Sequence, residues 1–311
     1  MINLFHINQY KIDTSKLGNW LHGDIVSEFE QRFADYVGAK YACSANSASS
    51  LIYLALKEAP WFIHIPSCIP PVVPNAIKMA QNPIVFLDDI DWVGNAYTLV
   101  KNNTHHIVDS AQEVTRNQFK DLGNPDAQMI FSFYPTKPVG SCDGGMVVSD
   151  NKDSIDSYRT NTLNGMEFSE NNWERKHVKS GHKMHWNSIS AYIANKNLSK
   201  IDSKQERLDE IRDVYNKAFD YNNISRHLYR IRVENNKEFI GQMKVQGIVC
   251  GIHYEHCHQK KFYVKQLAGH PSLSKSKLES EQTVSLPFHE KLTNKDIKKV
   301  IKYANENWGV S

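Results

Sequence analysis

The stretch DIVSEFEQRFADYVGAKY places Ile25, Val26, Phe29, Phe33 and Tyr36 at helical spacing, and Gly38 stands where such a helix would end. After it, NSASSLIYLALKEA opens with small polar residues and turns apolar, as a buried helix would. Shorter apolar runs follow: FIHIP, PIVFLDDID, HHIVDS, AQMIFSFY and GGMVVSD. Each is of strand length and closed by turn-forming or acidic residues. Apolar strands alternating with helices predict an α/β domain around a covered, mainly parallel sheet.

Near residue 200 the rhythm changes. SKIDSKQERLDEIRDVYNKAFDY reads as a long, charged helix. HLYRIRVE then alternates, with Tyr229, Ile231 and Val233 on one face and Arg230 and Arg232 on the other, the pattern of a half-exposed antiparallel strand. QGIVCGIHY reads as another strand. In LTNKDIKKVIKYANE, Thr293 and Asp296 fit a capping box, and Ile297, Val300, Ile301 and Ala304 form one apolar face. The pattern predicts a large α/β domain over residues 1–200 and a smaller α+β domain over 201–311.

Composition mainly excludes. The 311 residues are 41% hydrophobic and 23% charged, ordinary for a globular protein. A net charge of +3 gives no reason to expect nucleic acid or an anionic membrane as partner. No apolar run reaches the ~20 residues of a membrane span, and MINLFHINQYKID is too polar for a signal peptide. Five scattered cysteines without a CxxC pair fit a reduced, cytoplasmic protein.

Four places could carry chemistry. Lys137 follows the apolar run Met129 to Tyr134 and lies among Pro135, Pro138, Gly140, Gly144 and Gly145. A desolvated lysine there would be a nucleophile or Schiff-base former; a lysine reaching solvent past the prolines is the commoner case. Asp109 ends the strand-like IVD, where ligands of open α/β sheets bind, although a turn or helix-cap aspartate fits equally. Gln112 lies just beyond. Asn46-Ser47-Ala48-Ser49-Ser50 could present helix N-terminal N–H groups to a phosphate, or be a plain helix cap. In HYEHCH, residues 253–258, alternate strand residues face opposite ways and no second Cys/His pair has suitable spacing, so substrate contact or packing is favoured over a metal. A phosphate, a basic ring nitrogen and an aldehyde for a lysine together describe pyridoxal 5'-phosphate (PLP).

In order, these motifs resemble the DegT/DnrJ/EryC1/StrS family of sugar aminotransferases, which have the aspartate aminotransferase (PLP fold type I) architecture. WLHG and FEQRFADYVGAKYA resemble the family's opening, NSASS its NSGT or NSAT phosphate loop, and IVDSAQ its EDAAQ. FSFYPTKPVGSCDGGMVVSD resembles its SFxxTK…GEGG…D block, the most specific piece. GIHYEHCH and SLPFHEKLT resemble its late motifs. The resemblance implies that Lys137 bonds the PLP aldehyde and Asp109 pairs with the pyridine nitrogen. It sets Gln112 near the ring hydroxyl, Ala48, Ser49 and Ser132 on the phosphate, and His253 and Tyr254 toward substrate. GHKMHWNSI resembles the segment reaching the cofactor from a second subunit, with Lys183 at a phosphate position and His185 at the family's Arg/Asn position, toward substrate. A homodimer with shared active sites follows. So does transfer of an amino group from an amino acid, usually glutamate, to a nucleotide-linked keto sugar. Relatives that dehydrate sugars place His where Lys137 stands. The remaining rival is a degenerate binding protein of this fold.

Two departures stand out. PSCIPPVV puts Pro70 where the family has a ring-stacking aromatic. Only WVGNAYTLVKNNT separates DDID from HHIVDS, so one strand–helix unit near the substrate is expected to be missing.

Overall fold

A computed structural model describes residues 1–58, 61–168, 174–264 and 272–307. In the first part of the chain, helix α1 (Asp24–Val37) leads to strand β1 (Tyr41–Ala45) and α2 (Ala48–Leu56). Strand β2 (Ile63–Pro66), α3 (Val72–Met79) and β3 (Ile84–Leu87) form a parallel crossover unit. Then come β4 (Tyr97–Lys101), β5 (His106–Asp109), α4 (Gln118–Asp121), β6 (Gln128–Ser132), β7 (Gly145–Ser149) and α5 (Lys152–Thr162). A small hairpin, β8 (Met166–Phe168) and β9 (Arg175–His177), precedes α6 (Ser188–Leu198) and α7 (Ile201–Phe219). The chain closes with β10 (Tyr229–Arg232), α8 (Asn236–Val245), α9 (Lys261–Val264), α10 (Ser274–Gln282), β11 (Thr283–Leu286) and α11 (Asn294–Asn307).

The central sheet runs β1-β7-β6-β5-β4. The α/β class is as expected, but the sheet is mixed rather than mainly parallel. Only β5–β6 within it is parallel; β1–β7, β7–β6 and β5–β4 are antiparallel. A parallel pair needs a crossover of about a dozen residues or more, so connection length rules out a parallel β4–β5 pair. Residues 110–127, with α4, supply one between β5 and β6, whereas only the four residues 102–105 join β4 to β5.

Both faces of the sheet are covered, which explains apolar runs without alternation. Along β6, Met129 and Phe131 face a core shared with Phe29 and Phe33 of α1 and Ala191 and Ala194 of α6. Ile130 faces the opposite core, with Leu51 and Ile52 of α2 and Val73 and Ile77 of α3. A third core gathers Ile211 and Tyr215 of α7, Tyr229 and Ile231 of β10, Met243 of α8, Val284 of β11 and Val300 of α11. Ile2 joins it from the start of the chain.

Local signals held where caps were involved. Gly38 ends α1 at φ +79°. Thr293 and Asp296 exchange the two bonds of a capping box, Thr293 N–H to Asp296 Oδ2 (3.0 Å) and Asp296 N–H to Thr293 Oγ1 (3.1 Å). The strand expected in QGIVCGIHY is not formed. That stretch makes single bridges instead, Ile248 to Ile2 and Gly251 to Ser285, because its two neighbours lie at different points along it. The short stretch WVGNAYTLVKNNT contains β4, folded back on β5 as a hairpin. No helix among the described residues is long and apolar enough to cross a membrane.

Candidate active site

Strand directions bring the expected site residues to one end of the sheet. The last residues of β1, β5 and β6 are Ala45, Asp109 and Ser132. The antiparallel neighbours β7 and β4 begin at that same end, with Gly145 opposite both Ala45 and Ser132, and Tyr97 opposite Asp109. The carboxyl ends of sheet strands are where α/β folds bind ligands.

There a cavity of about 420 Å³ is lined by Ser47, Ala48, Ser49, Asp109, Gln112, Ser132, Lys137, His253 and Tyr254 among others. Helix α2 points its N-terminus into it. Ser47 is the extended N-cap and accepts from the N–H of Ser50 at 3.1 Å. The preceding first-turn N–H groups have no acceptor within their own helix, the usual basis of anion binding. Gly145 permits this placement: a Cβ there would lie 2.4 Å from the backbone nitrogen of Ala48.

Lys137 sits in the loop after β6, held by its N–H donating to Tyr134 O (2.9 Å). It is half-buried, and its side chain lines the cavity. Burial pushes its ammonium down to about 8, against the opposing pull of Asp109. Asp109 is buried, which pushes its carboxyl up; the N–H of Ala111 on Oδ1 (2.9 Å), the hydroxyl of Tyr97 on Oδ2 (2.8 Å) and Lys137 act the other way. Gln112 accepts from the N–H of Gly94 through Oε1 at 3.0 Å. Burial lowers the imidazoles of His253, to about 4, and of His227, so both are neutral near pH 7.

Lys183 and His185 do not line this cavity. Lys183 bridges to Leu163, and the His185 ring lies 4.6 Å from that of His22. In HYEHCH, His253 and Tyr254 line the cavity, whereas Cys257 and His258 are taken up in packing. His258 Nδ1 meets Ser67 Oγ at 2.6 Å, and Cys257 donates to Ile69 O at 3.5 Å.

Sequence reasoning missed Phe5, Trp92, Asn95, Tyr97 and His227 near the expected residues. Tyr97 was findable: KNNTH between YTLVK and HIVD is a turn flanked by strand-like residues, and Asn102 Oδ1 accepts from the N–H groups of Thr104 and His105. Phe5 and His227 come from distant parts of the chain, and no local pattern marks them.

A half-buried lysine, a buried carboxylate and a helix N-terminus thus meet on one cavity. The chain belongs to the DegT/DnrJ/EryC1/StrS aminotransferase family, whose model matches residues 6–61 and 101–304. It is 26% identical to UDP-4-amino-4,6-dideoxy-N-acetyl-beta-L-altrosamine transaminase from Campylobacter jejuni, over 96% of this chain and 95% of that one. The alignment is 359 positions long, longer than the 311 residues here, so parts of the relative have no counterpart. Its fold is similar to that of Helicobacter pylori PseC, an aminotransferase involved in the biosynthesis of pseudoaminic acid (TM-score 0.77, 19% identity, 98% of each chain). It is also similar to that of a Streptococcus pneumoniae protein, provisionally assigned as a sugar aminotransferase, in its PLP-form (TM-score 0.76, 17% identity, 96% of each chain). The unmatched residues 62–100 include Pro70, Trp92 and Tyr97.

Proposed function

We propose that this chain is a PLP-dependent aminotransferase that moves an amino group from an amino acid, glutamate in the first instance, to a keto sugar carried on a nucleotide. The observation that carries this reading is the meeting of Lys137, Asp109 and the α2 N-terminus on one cavity. The substrate class is supported by the family and by the named activity of the Campylobacter relative. When bound, PLP supplies an aldehyde that condenses with amines and a ring that withdraws electrons.

The residues fit that group. The first-turn N–H groups at Ala48 and Ser49, with the Ser132 hydroxyl, would hold its phosphate, where the close approach at Gly145 leaves space only for backbone. Asp109 would hold a proton on the ring nitrogen, and Gln112 would stand beside the ring hydroxyl. An ammonium near 8 leaves a sizeable neutral fraction of Lys137 at pH 7.5, against about one in a thousand for an ordinary lysine. The free Nζ can therefore act as nucleophile and then carry a proton to and from the substrate carbon. Neutral His253 and His227 add no competing positive charge beside it, and His253 and Tyr254 would contact substrate.

Lys183 and His185, lying outside the cavity, would serve the site of a second subunit in a homodimer. Residues 1–200 and 201–311 would form the large and small domains, the third core belonging to the latter. A cytoplasmic setting accords with five cysteines that form no disulfide.

Purified protein titrated with PLP tests this directly. The expected result is stoichiometric uptake with a visible absorption band that bleaches on adding glutamate and returns on adding a nucleotide-linked keto sugar. Failure to take up PLP would support the degenerate reading. Uptake without bleaching by any amino acid would contradict transamination.

A further inference from the structure

Asp109 is held by an element outside the family match. Strand β4 is hairpin-linked to β5, and its first residue, Tyr97, which the family model does not match, stands directly opposite Asp109 in the antiparallel register. Opposed residues of an antiparallel pair share a face of the sheet. The Tyr97 hydroxyl accordingly donates to Asp109 Oδ2 at 2.8 Å, while the Ala111 N–H takes Oδ1 at 2.9 Å. Trp92, from the same connection, packs edge-on against the Tyr97 ring (4.8 Å between centroids) and lies parallel to Tyr254 (6.2 Å, 13°). The tyrosine is thus fixed from behind by a buried aromatic that also lines the cavity.

We propose that Tyr97 is the positioning residue for Asp109: its hydroxyl keeps the carboxylate ionised and aimed into the cavity. This rests on the PLP reading, because the ionised carboxylate is what would keep the ring nitrogen protonated. The direction follows from elementary electrostatics. A hydrogen bond donated to a carboxylate favours its charged form, and here it opposes the burial that favours the neutral one. The groups facing Asp109 are Tyr97 from β4, Lys137 from the loop after β6, and Tyr254 from the segment before α9; His227 and His253 act on Lys137. Of these side chains, only Tyr97 donates a hydrogen bond to the carboxylate among the described residues. The β4–β5 hairpin thereby supplies a donor to the carboxylate proposed as the ring-nitrogen partner.

Two measurements on Tyr97→Phe test the proposal. The first needs no cofactor. Relative to wild type, the variant loses thermal stability at high pH, where Asp109 is charged, and the gap narrows as pH falls and the carboxyl takes up its proton; in an Asp109→Asn background the pH dependence of the gap disappears. The second is PLP affinity against pH. The variant binds PLP about tenfold more weakly at pH 7, and the acid limb of its binding curve moves up by about one unit, as expected for losing one hydrogen bond to a charged group. A stability loss that is uniform in pH and persists unchanged in the Asp109→Asn background would make Tyr97 a packing residue and overturn the proposal. An unmoved acid limb would overturn it too, leaving the aminotransferase reading intact. Wild-type protein that takes up no PLP would instead remove that reading, and the cofactor-free stability data would still report whether Tyr97 controls the charge of Asp109.

Discussion

Lys137 and Asp109 illustrate how much of a residue's chemistry is set by where the backbone leaves it. Burial brings the Lys137 ammonium from an ordinary 10.5 to about 8. Because its folded value is depressed, the unfolded chain binds the extra proton between these limits, so folding stability contributed by this group rises with pH from about 8 to about 10.5. Wild-type protein without cofactor should gain on Lys137→Met by roughly 2–3 kcal/mol across that window, readable as a changing difference in Tm; a constant difference would mean that the ammonium is not desolvated. Asp109→Asn cannot hold a proton on the ring nitrogen as a carboxylate does. It should slow reaction of the loaded enzyme with glutamate by about a hundredfold or more, measured by stopped-flow bleaching. Neither residue was decidable by position. The sequence left Lys137 between nucleophile and snorkelling side chain, and Asp109 between ligand and turn, because spacing along a chain does not report solvent access.

At the scale of elements, the α2 N-terminus and the end of β5 both line the cavity, and β4 backs Asp109 from behind. Gly145→Ala would drive a Cβ to 2.4 Å from the Ala48 nitrogen, so β7 and α2 must part. Overpacking of this kind costs about 1–3 kcal/mol, and PLP affinity should fall together with Tm. Ser47→Ala should lose about 1 kcal/mol through the missing cap, with a smaller effect on affinity, checked by denaturant unfolding and PLP titration. Helix α1, its glycine stop and the α11 capping box were legible because each rests on contacts a few residues apart. Strand direction was not legible from apolarity alone: β6 and β7 both read as buried runs, and only the loop between them decides that they are antiparallel. Residues 92–104 read as a shortened stretch when compared with the family pattern, whereas their strand-like YTLVK and Asn-rich turn form a strand and hairpin.

For the whole molecule, the chain carries two apolar layers around a mixed sheet and a third core around β10 and β11. The third core draws in Ile2, which bridges to Ile248, a meeting of distant residues that no local pattern announces. Shared sites in a homodimer make a sharp prediction: mixing Lys137→Ala with His185→Ala under subunit exchange should restore up to about a quarter of wild-type activity, since half the dimers are hybrids with one intact site. No recovery from two variants that exchange subunits would place both residues on the same site. The most direct test of the central claim is covalent. PLP-loaded protein reduced with borohydride, digested and mapped by mass spectrometry should carry a pyridoxyl group on the Nζ of Lys137 in nearly every chain. No adduct, or an adduct on a different lysine, would contradict it.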